Sequence, residues 1–149
     1  MLAGAGVSDA DVEAALKDGR AMDVWRRMIA EQGGDPDCVL PVATHTHDVV
    51  AERDGILQDM DALKVGVASW RLGAGRARQS DPVQAGAGIE IFAKPGEQVV
   101  KGQPILRLHT DEPDRFERAL ESLDGTLNIS DAGVPERGSV VFDRIAKED

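Results

Sequence analysis

The sequence predicts an α+β protein: a strand-rich domain with packed helices, behind a short helical segment. Three observations predict it. Apolar residues recur at helical spacing near the N-terminus, at Met22, Trp25, Met28 and Ile29. From Val39 onward the pattern changes to short β-branched or alternating runs, such as Val49-Val50 and Ile89–Ile91, punctuated by Asp-Gly, Pro-Gly and Lys-Gly turns. Two more helical patterns, at residues 61–73 and 111–123, fall between those runs. At 149 residues the chain is one domain, or one domain with an appended element.

Ser8 is placed to cap a first helix over Asp9–Lys17, with Asp9 and Asp11 in the first turn, where the helix dipole favours anions. Gly19 interrupts it. A second helix runs over Ala21–Gln32, with Met22 and Trp25 on its packing face, and Gly33-Gly34 and Asp35-Pro36 stop it. Residues 1–34 read as the helical segment, 35–43 as a linker and 44–149 as the α+β domain. Asp48–Glu52 and Ile56-Leu57 flank Asp54-Gly55, which predicts a hairpin. A third helix spans Asp61–Gly73, with a strand over residues 65–69 as the less favoured alternative. Its small residues Ala62, Gly66, Ser69 and Gly73 share one face, which predicts that this face lies buried against a sheet. Gly88–His109 reads as strands broken at Pro95-Gly96 and Lys101-Gly102. Asp111 is the expected cap of a last helix with Pro113 in its first turn and Phe116, Ala119, Leu120 and Leu123 as its apolar face. Short strands are expected at Thr126–Ile129 and Val140–Ile145.

Composition excludes several functions. With 17 Lys+Arg against 27 Asp+Glu the net charge is −10, which opposes nonspecific binding to nucleic acid or to anionic membrane. One Cys rules out a disulfide framework and a Cys-based zinc site. No apolar run reaches the roughly 18 residues of a membrane span, and the N-terminus lacks the basic region of a signal peptide. A cytoplasmic protein is expected. There is no Tyr, so tyrosine chemistry is absent.

Four features are candidates for chemistry. His45 and His47 in His45-Thr46-His47-Asp48 point the same way on a strand, as many metal sites require, and His109 and Asp111 are possible further ligands. The competing reading is ordinary polar surface. Gly73-Ala74-Gly75-Arg76 can hold an anion through backbone N–H groups and the Arg76 guanidinium. Its glycines follow a helix, however, whereas nucleotide phosphate loops precede one. The competing reading is a helix C-cap with Arg76 paired to Asp81 or another carboxylate. Lys94–Leu108 resembles the strand–turn–strand of biotinyl and lipoyl domains, which implies a barrel-sandwich strand arrangement. The modified lysine of those carriers has no counterpart on the following turn, and Lys64 lies upstream on a predicted helix. Cys38, between Asp37 and Val39, has no cationic neighbour in sequence to activate it.

Three stretches taken in order resemble one family. They are Arg26–Pro36, then Asp61–Gly66 running to Leu72-Gly73-Ala74-Gly75-Arg76 and Asp81-Pro82-Val83, then Gly86–Ile89 through Gly96 and Gly102-Gln103-Pro104. This set is similar to the C-terminal part of the thymidine phosphorylase and pyrimidine-nucleoside phosphorylase family. The resemblance implies a barrel-sandwich-like β domain with packed helices, of the α/β-hammerhead type. It implies that residues 1–34 end the α/β domain of a longer, homodimeric, cofactor-free enzyme. Such enzymes use phosphate to convert thymidine to thymine and 2-deoxyribose 1-phosphate. The family's phosphate- and base-binding motifs lie in upstream segments and are not found in this sequence, so no catalytic residue is carried over. The implied partners are the remainder of the phosphorylase and, in the full-length enzyme only, phosphate and a pyrimidine nucleoside. The alternative is a freestanding barrel-sandwich binding or carrier module.

Overall fold

A computed structural model describes residues 9–76, 78–136 and 143. The chain divides into two compact units, Met1–Leu40 and Pro41–Asp149.

The first unit holds α1 (Asp9–Lys17) and α2 (Arg20–Glu31). Helix α2 ends as its sequence dictates. Gly33 turns left-handed (φ 80°), and the Gly33 and Gly34 N–H groups bond back to Ala30 O and Ile29 O. The described residues of the unit do not cover the expected packing face of α2: Met22, Trp25 and Met28 stay exposed. The Ser8 cap lies outside the described residues.

The second unit is α+β. Its elements are β1 (His45–Val50), β2 (Gly55–Met60), α3 (Ala62–Ser69) with a π-helical turn over Trp70–Ala74, β3 (Gly88–Ile91), β4 (Gln98–Val99), β5 (Pro104–Thr110), α4 (Arg115–Leu123) and β6 (Leu127–Ser130). Two antiparallel three-stranded sheets form, in the orders β1-β5-β3 and β4-β2-β6. The central strands β5 and β2 supply much of the core. Leu57, Ile105, Leu106 and Leu108 are fully buried, joined by Val99, Ala68, Leu72 and Ala119.

The hairpin expected at Asp54-Gly55 does not form, because β1 and β2 belong to different sheets. The chain bends there instead of folding back. Ala51 exchanges backbone hydrogen bonds with Gln103 O and Gly102 N, and Leu57 does the same with Glu97 O and Gly96 N, so this segment stays alongside residues 96–103 while crossing between sheets. The Asp54 carboxylate accepts the Lys101 N–H at 2.7 Å rather than closing a turn of its own. Gly55 is required: its φ is +151°, and a Cβ there would sit 2.8 Å from Ser130 O.

Helix α3 starts where Asp61 accepts the Leu63 and Lys64 N–H groups at 2.9 and 3.1 Å. The face predicted to be buried is buried only toward its C-terminal end, with Gly73 buried and Ser69 half-buried. Ala62 and Gly66 are exposed, and a Cβ on Gly66 would meet nothing within 4 Å. Burial falls on Val65, Ala68 and Leu72, which pack on the core. Gly73 (φ +112°) breaks the helix at the predicted place. The last helix begins later than predicted, with Asp114 preceding Arg115 and making no side-chain cap. Asp111 accepts the Thr44 N–H and hydroxyl at 2.9 and 3.2 Å instead. The apolar face of α4 is as predicted, with Ala119 and Leu123 buried and Phe116 and Leu120 against the core. The strand expected at Val140–Ile145 lies, Asp143 apart, outside the described residues.

Candidate functional site

The histidines are placed by strand register. His45 lies opposite Thr110 and His47 opposite Leu108, whereas His109 lies opposite Thr46 and Gly88. Directly opposed residues share a face and neighbours along a strand alternate. His45 and His47 therefore share one face of the sheet, and His109 is on the other. The His47 ring stands 5.6 Å from the Phe116 ring, and His109 Nε2 is 3.5 Å from Glu90 Oε2. The three imidazoles do not converge. Among the described residues, no group of three or more His, Cys, Asp or Glu side chains is placed to hold a metal ion.

Arg76 is exposed just beyond the Gly73–Gly75 turn. Asp81, its expected partner, accepts the Arg78 N–H at 2.8 Å. Lys64 lies in the first turn of α3, and its ammonium donates to Asp124 O at 2.6 Å, at the C-terminal end of α4. That is a favourable place for a cation. It is not the exposed hairpin tip a carrier lysine needs, and the findings do not support the carrier alternative. Cys38 is exposed and free of any disulfide.

The sequence did not single out Gln84, which ties the helices to the sheet. Its N–H donates to Gly73 O at 3.0 Å. Its side-chain carbonyl accepts from Asp111 N at 2.8 Å and from the Thr110 hydroxyl at 3.1 Å. Its amide donates to Glu112 at 2.6 Å. Thr110 is fully buried and also reaches Leu72 O at 2.8 Å. Gln84 sits in a polar stretch after Pro82 with no pattern to mark it.

A cavity of about 700 Å³ opens between the π-helical turn and α4. Arg71, Arg115 and Arg118 line it, but so do Asp81, Glu112, Asp114 and Glu117. Arg71 donates to Arg118 O at 2.6 Å, and Arg115 Nε stands 3.1 Å from Glu112. The cations are matched by carboxylates, so the cavity does not concentrate the positive field that a phosphate dianion requires. Among the described residues, no helix is long and apolar enough to cross a membrane.

The sequence profile of the pyrimidine nucleoside phosphorylase C-terminal domain matches residues 56–130. Thymidine phosphorylase of Mycobacterium tuberculosis (strain ATCC 25618 / H37Rv) is 45% identical over 145 residues, covering 97% of this chain and 34% of the relative. Pyrimidine-nucleoside phosphorylase of Staphylococcus epidermidis (strain ATCC 12228 / FDA PCI 1200) is 36% identical over 124 residues, covering 80% of this chain and 28% of the relative. The chain thus spans about a third of the length of these relatives. With half of the sequence matched by that one profile and an α+β unit of two antiparallel sheets to go with it, one conclusion follows: this chain belongs to the pyrimidine nucleoside phosphorylase C-terminal domain family.

Proposed function

We propose that this chain serves as the C-terminal structural domain of a thymidine (pyrimidine-nucleoside) phosphorylase. Its full-length form would convert thymidine and phosphate to thymine and 2-deoxyribose 1-phosphate. The observation that carries the reading is the 45% identity over 97% of this chain to a protein named thymidine phosphorylase, of which it spans 34%. On this reading residues 1–34 end the α/β domain, 35–43 link, and 44–149 form the C-terminal domain in a barrel-sandwich-like, α/β-hammerhead arrangement. The full-length enzyme is a cytoplasmic homodimer that needs no cofactor.

Electrostatics supports the division of labour. Phosphorolysis holds a dianion beside a developing oxocarbenium ion, which calls for concentrated positive charge. This chain carries −10 overall, and the cavity beside α4 sets four carboxylates against three guanidiniums. The exposed Met22, Trp25 and Met28 of α2 also suit a surface that the rest of an enzyme would cover. Titration calorimetry tests the reading: neither thymidine nor phosphate should bind the 149-residue chain measurably. Tight binding of both to the isolated chain would overturn it.

A further inference from the structure

Helix α3 carries one charged residue, Lys64, in Ala62–Ser69. A helix that is apolar all round belongs in an interior, yet only one side of α3 is covered. Val65, Ala68 and Leu72 pack on the core. The opposite side presents Ala62, Leu63, Gly66 and Trp70 to solvent, with Leu63 76% and Trp70 45% exposed. Its middle is a glycine with open space where a Cβ would be. Gly66 costs this helix about 1 kcal/mol relative to Ala, and among the described residues nothing uses the room it leaves. A missing side chain between two exposed apolar ones is the form of a seat for a closely approaching backbone.

We infer that this outer face of α3 is where the preceding part of the phosphorylase chain docks, through an apolar surface that reaches Gly66 between Leu63 and Trp70. The inference rests on the reading under Proposed function. The occupant follows from length: the relatives extend over about three times the span matched here, so a body large enough to cover the helix belongs to the same polypeptide.

The test compares the 149-residue chain with a joined protein in which the upstream two thirds of the Mycobacterium tuberculosis relative precede it. Both carry Leu63→Cys in a Cys38→Ser background, and maleimide labelling of the introduced thiol is followed by peptide mass spectrometry. Labelling should be fast in the chain alone and at least about tenfold slower in the joined protein, as burial of the site demands. Adding Gly66→Leu should restore fast labelling in the joined protein without lowering the melting temperature of the chain alone. Equal labelling rates in the two proteins would overturn the inference. So would slow labelling in a chain that is already dimeric, since the occupant would then be a second copy. Thymidine turnover by the joined protein reports separately on the proposed function, so either idea can fail alone.

Discussion

Arg107 on β5 holds Asp48 on β1 through two parallel hydrogen bonds, Nε to Oδ1 at 2.6 Å and Nη2 to Oδ2 at 2.9 Å. The guanidinium also lies 5.2 Å from the Phe92 ring centroid. The pair fixes the register of the outermost strand, because the fork geometry admits one alignment.

The hydrogen bonds from Arg107 hold the Asp48 carboxyl below the usual carboxylate range. Folded Asp48 thus binds its proton less tightly than unfolded Asp48. Its contribution is complete above the ordinary value of about 3.9 and fades as pH falls through the lowered folded value. Asp48→Asn should melt a few degrees below the parent at neutral pH, and the gap should close as pH drops below that range. Circular dichroism melts across pH check this; a gap that does not change with pH would contradict it.

Thr110 is fully buried and its hydroxyl serves Leu72 O and Gln84. Thr110→Val keeps the shape but takes the donor from Leu72 O and the acceptor from the Glu112 N–H, while Gln84 Oε1 keeps its bond from Asp111 N–H; it should cost about 1–3 kcal/mol. Thr110→Ser keeps the hydroxyl and should recover much of the loss. Urea unfolding reads both.

Leu72, on the π-helical turn, is fully buried and packs in the core with Ala68. Leu72→Ala removes most of a core side chain and should destabilise by about 2–5 kcal/mol.

Two glycines should respond in opposite directions. Gly66→Ala should stabilise the isolated chain by up to about 1 kcal/mol, since a helical Cβ there meets only open space. Gly55→Ala should destabilise by about 1–3 kcal/mol, since its φ is positive and the new Cβ would meet Ser130 O. Melting curves of the two variants give the signs directly.

Since His109 faces away from His45 and His47, zinc should not draw the three together. Any thermal shift that zinc produces should be unchanged by His109→Ala. A shift lost in that variant would mean that the histidines share a metal.

Local signals were legible in the sequence. The end of α2 at Gly33-Gly34, the start of α3 at Asp61 and the break at Gly73 follow from backbone chemistry within a few residues. Non-local pairing was not. Asp54-Gly55 carries a hairpin signal, but the competing partner of that segment is residues 96–103, some 40 positions away. The small-residue stripe of α3 does form one face, but only its Gly73 end is buried, while Ala62 and Gly66 are exposed. Helical period groups residues by side but does not say which side meets the core. The placement of the histidines was illegible for the same reason. His45 and His47 share a face by parity alone, while the side on which His109 falls is set by the β1–β5 register, fixed in turn by Asp48 and Arg107. Gln84 gave no signal because its partners, Gly73 and Thr110, meet only in the folded chain.

Thymine release from thymidine in phosphate buffer is the most direct measurement. The 149-residue chain alone should show no turnover, and the protein that joins it to the upstream two thirds of its mycobacterial relative should show turnover dependent on phosphate. Sustained, phosphate-dependent thymine release by the 149-residue chain on its own would contradict the assignment of this chain as a scaffold.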